Sequence, residues 1–247
     1  MARFEGKKVL VTGGSSGIGR ATAVRLKSEG AQVLVTGTNK ERLANLKDEH
    51  GIDGIENDAG DAGAVAALVQ AAKTHLGQID GVFINAGFGE FAPLSDVTAD
   101  SFERQFNVNV RGPLLQTQAL APILNEGASV VLNTSVANRR GMAGSSIYGP
   151  TKAALRNMTR VLAVELAPRK IRVNAVSPGP IETNFFARTG LPEEAVNELA
   201  QGILAQVPLG RFGTSEDVAA VATFLLSDEA SFVTGSEYTV DGGMTET

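Results

Sequence analysis

Cysteine and tryptophan are absent from the 247 residues, and histidine and tyrosine occur only twice each. Without cysteine there is no thiol nucleophile, no disulfide framework and no thiolate zinc site. His50 and His75 stand singly in polar, helix-patterned stretches with no ligand spacing, so they read as surface residues and no metal is expected. A zinc-dependent alcohol dehydrogenase and a Ser-His-Asp hydrolase are therefore set aside. No apolar run approaches the ~18 residues of a membrane span. Met1 to Lys8 carry charge and no apolar core, unlike a secretory signal, so a cytoplasmic protein is expected. The net charge of −5 weighs against nucleic acid or an anionic membrane as partner.

The chain is long enough for a sizeable core in one domain, and nothing in it reads as a linker. Short runs rich in Val and Ile predict strands at 9–12, 33–36, 54–56, 81–85, 129–134, 171–176 and 238–240. Helical patterns lie between them at 18–28, 40–49, 62–76, 101–124, 148–166, 192–206 and 215–226. Such alternation predicts an α/β protein with a seven-stranded, doubly wound parallel sheet and helices on both faces. Residues 177–191, opening Ser-Pro-Gly-Pro, lack periodicity and would leave a strand's carboxyl end, where ligands bind. They predict a flap over substrate within about residues 178–210.

The first strand runs through Thr12-Gly13-Gly14-Ser15-Ser16-Gly17-Ile18-Gly19 directly into a helix. Glycines there let backbone N–H groups approach a pyrophosphate at the positive end of the helix. The spacing differs from the usual G-x-G-x-x-G of dinucleotide folds. It resembles the Thr-Gly-x-x-x-Gly-x-Gly signature of the short-chain dehydrogenase/reductase family, and the likeness continues over essentially the whole chain. The resemblance implies a single Rossmann-type domain, with a cofactor-binding half to about residue 130 and a catalytic half beyond it. It also implies an NAD(P)-dependent oxidoreductase moving hydride between nicotinamide and a ketone or secondary alcohol.

At the end of the second strand an acid would bond the adenine ribose and repel a 2′-phosphate. The sequence there is Thr36-Gly37-Thr38-Asn39-Lys40, with no acid and with one nearby positive charge. The expectation leans to NADP(H) and leaves NAD(H) open, because Ser16 and Thr38 stand where many NADP-using relatives carry basic residues. By the same resemblance Asp58 meets the adenine, and Asn85-Ala86-Gly87 brings backbone close to the cofactor. Pro178, Gly179, Ile181 and Thr183 face the nicotinamide end.

Tyr148-Gly-Pro-Thr-Lys152 puts a phenol and an ammonium on one face of a predicted helix start. A lysine and the positive nicotinamide ring would lower a pKa that is otherwise about 10 and fit the tyrosine for proton transfer. Ser135, thirteen residues earlier, matches the family's catalytic serine, with Thr134 as the rival hydroxyl. Asn109 matches the helix asparagine that holds a water linked to the lysine, with Asn107 two positions away on another helix face. Pro150 departs from the small residues usual within this motif and is tolerable early in a helix.

Ala137, Met142, Phe185 and Phe186, with Phe88, Phe91 and Leu191, are the candidate lining of a largely apolar pocket for aryl, alicyclic or acyl ketones. Arg139 and Arg140 read as a solvated pair that could instead meet an anionic substrate or carrier. The resemblance also implies a homotetramer. Three alternatives stand beside the main reading: a 3-oxoacyl-(acyl-carrier-protein) reductase, an epimerase or dehydratase on the same scaffold, and a non-catalytic nucleotide-binding regulator.

Overall fold

The computed structural model describes residues 2–182 and 193–245. Seven strands form one parallel sheet: β1 (Lys8–Val11), β2 (Gln32–Gly37), β3 (Asp53–Glu56), β4 (Ile79–Ile84), β5 (Leu124–Asn133), β6 (Arg172–Pro178) and β7 (Glu237–Val240). Their order is β3-β2-β1-β4-β5-β6-β7. The direction of winding reverses between β1 and β4, and a crevice opens there at the strands' carboxyl ends. The α-helices are α1 (Gly17–Ser28), α2 (Lys40–His50), α3 (Val65–His75), α4 (Ala99–Phe106), α5 (Gly112–Leu120), α6 (Tyr148–Leu166), α7 (Glu193–Leu204) and α8 (Ser215–Leu226).

Strand alternation divides the core in two. Leu10, Leu34, Val82, Val130, Leu132 and Val173 point to one face, under Leu68 of α3, Leu120 of α5 and Leu155 and Leu162 of α6. Val9, Val11, Val33, Val35, Phe83 and Val131 point to the other, under Leu26 of α1, Leu43 and Leu46 of α2 and Val218 and Leu225 of α8. Both faces are covered, which is why these strands read as near-continuous apolar runs.

Two elements depart from their sequence patterns. The expected helix over 101–124 is α4, a π-helical turn over Asn107–Arg111, α5, and a 3-10 turn that ends where β5 begins. The π-turn inserts one residue into the helical ladder, which changes the phase of every side chain after it. β5 starts at Leu124, five residues before the expected strand, because Leu124 pairs with Ile79 across a register shift. Its polar Asn125-Glu126-Gly127 stretch resembles a loop, yet Asn125 donates to Asp80 at 2.8 Å and is tied to β4. The predicted helix over 192–206 is α7, and the predicted flap falls partly outside the described residues.

Gly112 closes the π-turn against the Ala59 carbonyl, which an added Cβ would strike. Gly112→Ala is expected to lower stability by ~1–3 kcal/mol, the usual range for overpacking, read from the denaturant midpoint. An unchanged midpoint would mean that the turn is free to shift.

Candidate active site

The glycine turn after β1 owes its shape to close packing. Gly13 and Gly17 have φ of +62° and +52°, and a Cβ on Gly14 would lie 2.6 Å from the Cβ of Val35. A Cβ on Gly19 would collide with the Gly13 carbonyl, and one on Gly37 would lie 2.5 Å from the Ser15 hydroxyl. The turn and the tip of β2 therefore touch. Ser16 is the N-cap of α1, yet no side chain accepts a hydrogen bond from the helix's first amides. An uncapped helix N-terminus at this end of the sheet suits an anionic group.

Thr12, fully buried, accepts from the amides of Asn85 and Ala86 at 3.0 and 3.1 Å. Asn85 Nδ2 donates to the Thr12 and Gly13 carbonyls at 3.0 and 3.1 Å, while its Oδ1 accepts from Asn133 Nδ2 at 2.8 Å. Neither Thr12 nor Asn133 was singled out by the motif reading. Thr12 opens the quoted signature, and Asn133 sits two residues before Ser135. Alternation between buried and cleft-facing positions in β5 was the signal available for Asn133.

Tyr148 is the first residue of α6, and Lys152 lies one turn on. Pro150 falls within that first turn, where its missing N–H breaks no helical bond. Lys152 is 4% exposed, and its Nζ donates to the Asn133 carbonyl at 2.9 Å. The ammonium sits 5.6 Å from the centroid of the Tyr148 ring. Burial pulls the Lys152 pKa down to about 8. Burial also pushes the Tyr148 phenol above its ordinary value, and a hydrogen bond with Ser135 only partly opposes that. In the protein by itself burial outweighs that bond, and the lysine lies over the ring.

Ser135 and Thr134 part company. Ser135 has extended backbone, its Oγ accepts from the Ala137 amide at 3.2 Å, and it bonds with Tyr148. The Thr134 hydroxyl is turned away, to the Val176 carbonyl at 2.9 Å and Glu237 at 2.7 Å. Asn109, fully buried in the π-turn, clamps the Phe88 backbone: it accepts from the Phe88 amide at 3.0 Å and donates to the Phe88 carbonyl at 2.7 Å. It also reaches the Thr151 hydroxyl at 3.2 Å. Its direct partners are thus the loop after β4 and α6, and the described bond of Lys152 goes to Asn133 instead. A Cβ on Gly87 would lie 3.1 Å from Asn109 Oδ1 and 3.3 Å from Lys152 Nζ, so a side chain there would press on both groups.

These groups floor a cavity of about 300 Å³. Its lining includes the expected Ile18, Asn85, Gly87, Ala137, Met142, Pro178, Gly179 and Ile181, along with Phe88 and Phe91. Phe91 packs on Tyr148 with ring centroids 5.4 Å apart. Ile203, Phe212 and Met244 also line it and were not foreseen, since helix α7 and the C-terminal turn reach it only through the fold. Thr183, Phe185, Phe186 and Leu191 lie outside the described residues.

Thr38 and Asn39 follow the tip of β2, exposed, and Asn39 caps α2 by accepting from the Arg42 amide at 2.9 Å. Lys40 is not a free charge: it pairs with Glu56 at 3.0 Å. Asp58, exposed beyond β3, accepts from the Gly60 amide at 2.8 Å. The two arginines after Ser135 keep contact with solvent, and each also has a partner. Arg139 meets Glu237 at 3.5 Å, and Arg140 donates to Gln206. His50 bonds Arg20 at 3.1 Å, while His75 is exposed on α3. Among the described residues no helix is long and apolar enough to cross a membrane.

A family model described as Enoyl-(Acyl carrier protein) reductase matches residues 13–245. The 3-oxoacyl-(acyl-carrier-protein) reductase of Thermotoga maritima is 39% identical over 249 residues, covering 98% of this chain and 99% of that protein. A short-chain dehydrogenase/reductase double mutant from Serratia marcescens superposes with a TM-score of 0.90 at 31% identity, covering 98% of this chain and 99% of that one. A blue fluorescent protein from a metagenomic library, solved in complex with NADPH, gives a TM-score of 0.88 at 34% identity over 98% and 99% of the two chains. With sequence, sheet order and cleft in agreement along nearly its whole length, the chain belongs to the short-chain dehydrogenase/reductase family, oxidoreductases that work between carbonyl and alcohol groups.

Proposed function

We propose that this protein reduces ketones, and oxidises the matching secondary alcohols, with NADP(H) as hydride carrier and Tyr148 as acid/base. The observation that supports this most is the meeting of Tyr148, Ser135 and Lys152 on the floor of one largely apolar cavity, beside a helix N-terminus with uncapped amides. The open amides and the glycine cradle fit a dinucleotide. Gly13, Ser15, Ser16, Gly17, Ile18 and Gly19 would receive its phosphates, and Thr38, Asn39 and Asp58 its adenosine. Asn85, Ala86 and Gly87, with Pro178, Gly179, Ile181 and Thr183, would flank its nicotinamide half. When bound in reduced form, the nicotinamide supplies the hydride.

In reduction the Tyr148 phenol gives its proton to the substrate oxygen as the carbonyl carbon becomes tetrahedral. A phenol raised by burial keeps that proton at neutral pH and is ready to donate it. Ser135 donates a hydrogen bond to the same oxygen. The Lys152 ammonium over the ring favours the phenolate that remains. Asn109 fixes the Phe88 loop against α6 and so sets the cavity wall beside Lys152.

The β2 tip supports NADP(H) through what it lacks: neither Thr38 nor Asn39, the residues directly after Gly37, is an acid that would repel a 2′-phosphate. Arg42 of α2 has no ion pair among the described residues and offers a positive charge there, the role expected of Lys40. The cavity suits aryl, alicyclic or acyl ketones. A second reading, a 3-oxoacyl-(acyl-carrier-protein) reductase, is supported by an open depression lined by Arg139, Arg140, Gln206, Met244 and Thr245, which shares Met244 with the cavity. Exposed Leu114 on α5 and Val161 and Val164 on α6 support assembly, here a homotetramer, and we place the enzyme in the cytoplasm.

Tyr148→Phe is expected to lose at least ~10²-fold in turnover while keeping NADPH affinity, measured by absorbance at ~340 nm across a ketone panel and by titration. Near-full turnover would remove Tyr148 as the acid. Thr38→Asp is expected to lower kcat/KM with NADPH by at least ~10-fold relative to NADH, through charge repulsion at the 2′-phosphate. An unchanged ratio would place the 2′-phosphate elsewhere.

Lys152 carries a stability cost with a definite sign. Its folded pKa, about 8, is below the 10.5 of an unperturbed lysine. Below pH ~8 both states hold the proton, and the folded state bears the whole cost of burying it. Between about 8 and 10.5 the folded state has released the proton and the unfolded state has not, so stability rises with pH. Lys152→Met is therefore expected to be more stable than the parent at pH 7, by on the order of 1–3 kcal/mol, with the gap in Tm narrowing towards pH ~9.5. A gap independent of pH would show that Lys152 is not the group responsible.

A further inference from the structure

Glu237 opens β7, four strands from the strand that leads into the glycine turn, and its side chain is 5% exposed. A carboxylate so placed needs partners, and here they come from two other elements. Its Oε1 accepts from the Thr134 hydroxyl at 2.7 Å and from Asn138 Nδ2 at 2.5 Å. Its Oε2 faces Arg156 at 3.0 Å and Arg139 at 3.5 Å. Thr134 and Asn138 bracket Ser135, and Asn138 ends the 3-10 turn that Ser135 caps. Arg156 lies on α6 four residues after Lys152 and eight after Tyr148, so the three share one helix face.

One carboxylate oxygen thus grips the Ser135 loop at both ends, while the other forms an ion pair with the helix that carries Tyr148 and Lys152. We propose that Glu237 is a positioning residue for the Ser135 hydroxyl, setting its place relative to Tyr148. The proposal rests on the reading of Ser135 as a donor to the substrate oxygen. Without the grip the loop retains the Thr134 bonds to Val176 but loses the anchor at Asn138. The serine can then drift by a fraction of an ångström, enough to weaken a bond formed in the transition state.

The test is a double-mutant cycle of Glu237→Ala with Ser135→Ala, measuring kcat on the best ketone of the panel and NADPH affinity by titration. The expected result is a fall of at least 10-fold in kcat for Glu237→Ala with NADPH affinity within threefold of the parent, and a further fall of no more than twofold when Ser135 is already alanine. A residue that merely supports the fold would cost the same factor in both backgrounds, and that result, or a kcat within twofold of the parent, overturns the proposal. If Glu237→Ala does not fold, because Arg156 is left with its charge unpaired, Thr134→Val with Asn138→Ala removes the grip and keeps the ion pair. The same coupling to Ser135 is expected, and its absence again overturns the proposal. Full turnover in Ser135→Ala alone would instead overturn the reading of Ser135 itself, and the proposal with it.

Discussion

A line of hydrogen bonds crosses the carboxyl ends of three adjacent strands. It runs from the Thr12 and Gly13 carbonyls to Asn85, from Asn85 to Asn133, and from the Asn133 carbonyl to the Lys152 ammonium. It fixes the glycine turn, the proposed seat of the phosphates, relative to Lys152, the proposed partner of Tyr148. Each strand end here would otherwise present unpaired backbone groups at a buried edge. The line satisfies those groups by coupling the two halves of the site to each other. Hydride transfer needs its partners placed to fractions of an ångström, and a linkage through rigid strands supplies that better than loops can.

The site departs from ordinary protein economy at Lys152. A lysine 4% exposed, with a carbonyl for its single described hydrogen bond, is a group that a stability criterion alone would remove. Its placement over the Tyr148 ring explains its retention, because a nearby ammonium is most useful where low dielectric strengthens it. Burial works on the tyrosine in the opposite sense, keeping the phenol protonated. In the proposed reaction the pair would act as an acid that keeps its proton until a substrate oxygen takes it.

The π-turn over Asn107–Arg111 has the same character. It interrupts one long helix so that Asn109 turns inward and seizes both polar groups of the Phe88 backbone. A regular helix through this stretch would place that side chain differently. The turn fits because Gly112 allows close contact with Ala59. The loop after β4, which carries Gly87 against Lys152, is thereby held from two sides.

Periodicity in the sequence determined the seven strands, most of the helices and the parallel α/β architecture, because strands covered on both faces must be apolar throughout. Spacing determined the glycine turn and the Tyr148–Lys152 pair, since both are local: a tight turn and one turn of helix. The sequence could offer Ser135 and Thr134 only as rivals, and Glu237 and Val176, far along the chain, decided between them. The compensation of Lys40 by Glu56, the capture of Arg139 by Glu237 and the arrival of Ile203, Phe212 and Met244 at the cavity were likewise settled only by tertiary packing. Local pattern fixes which groups a segment offers. Which of them remain available to a ligand depends on partners that the fold brings from distant positions.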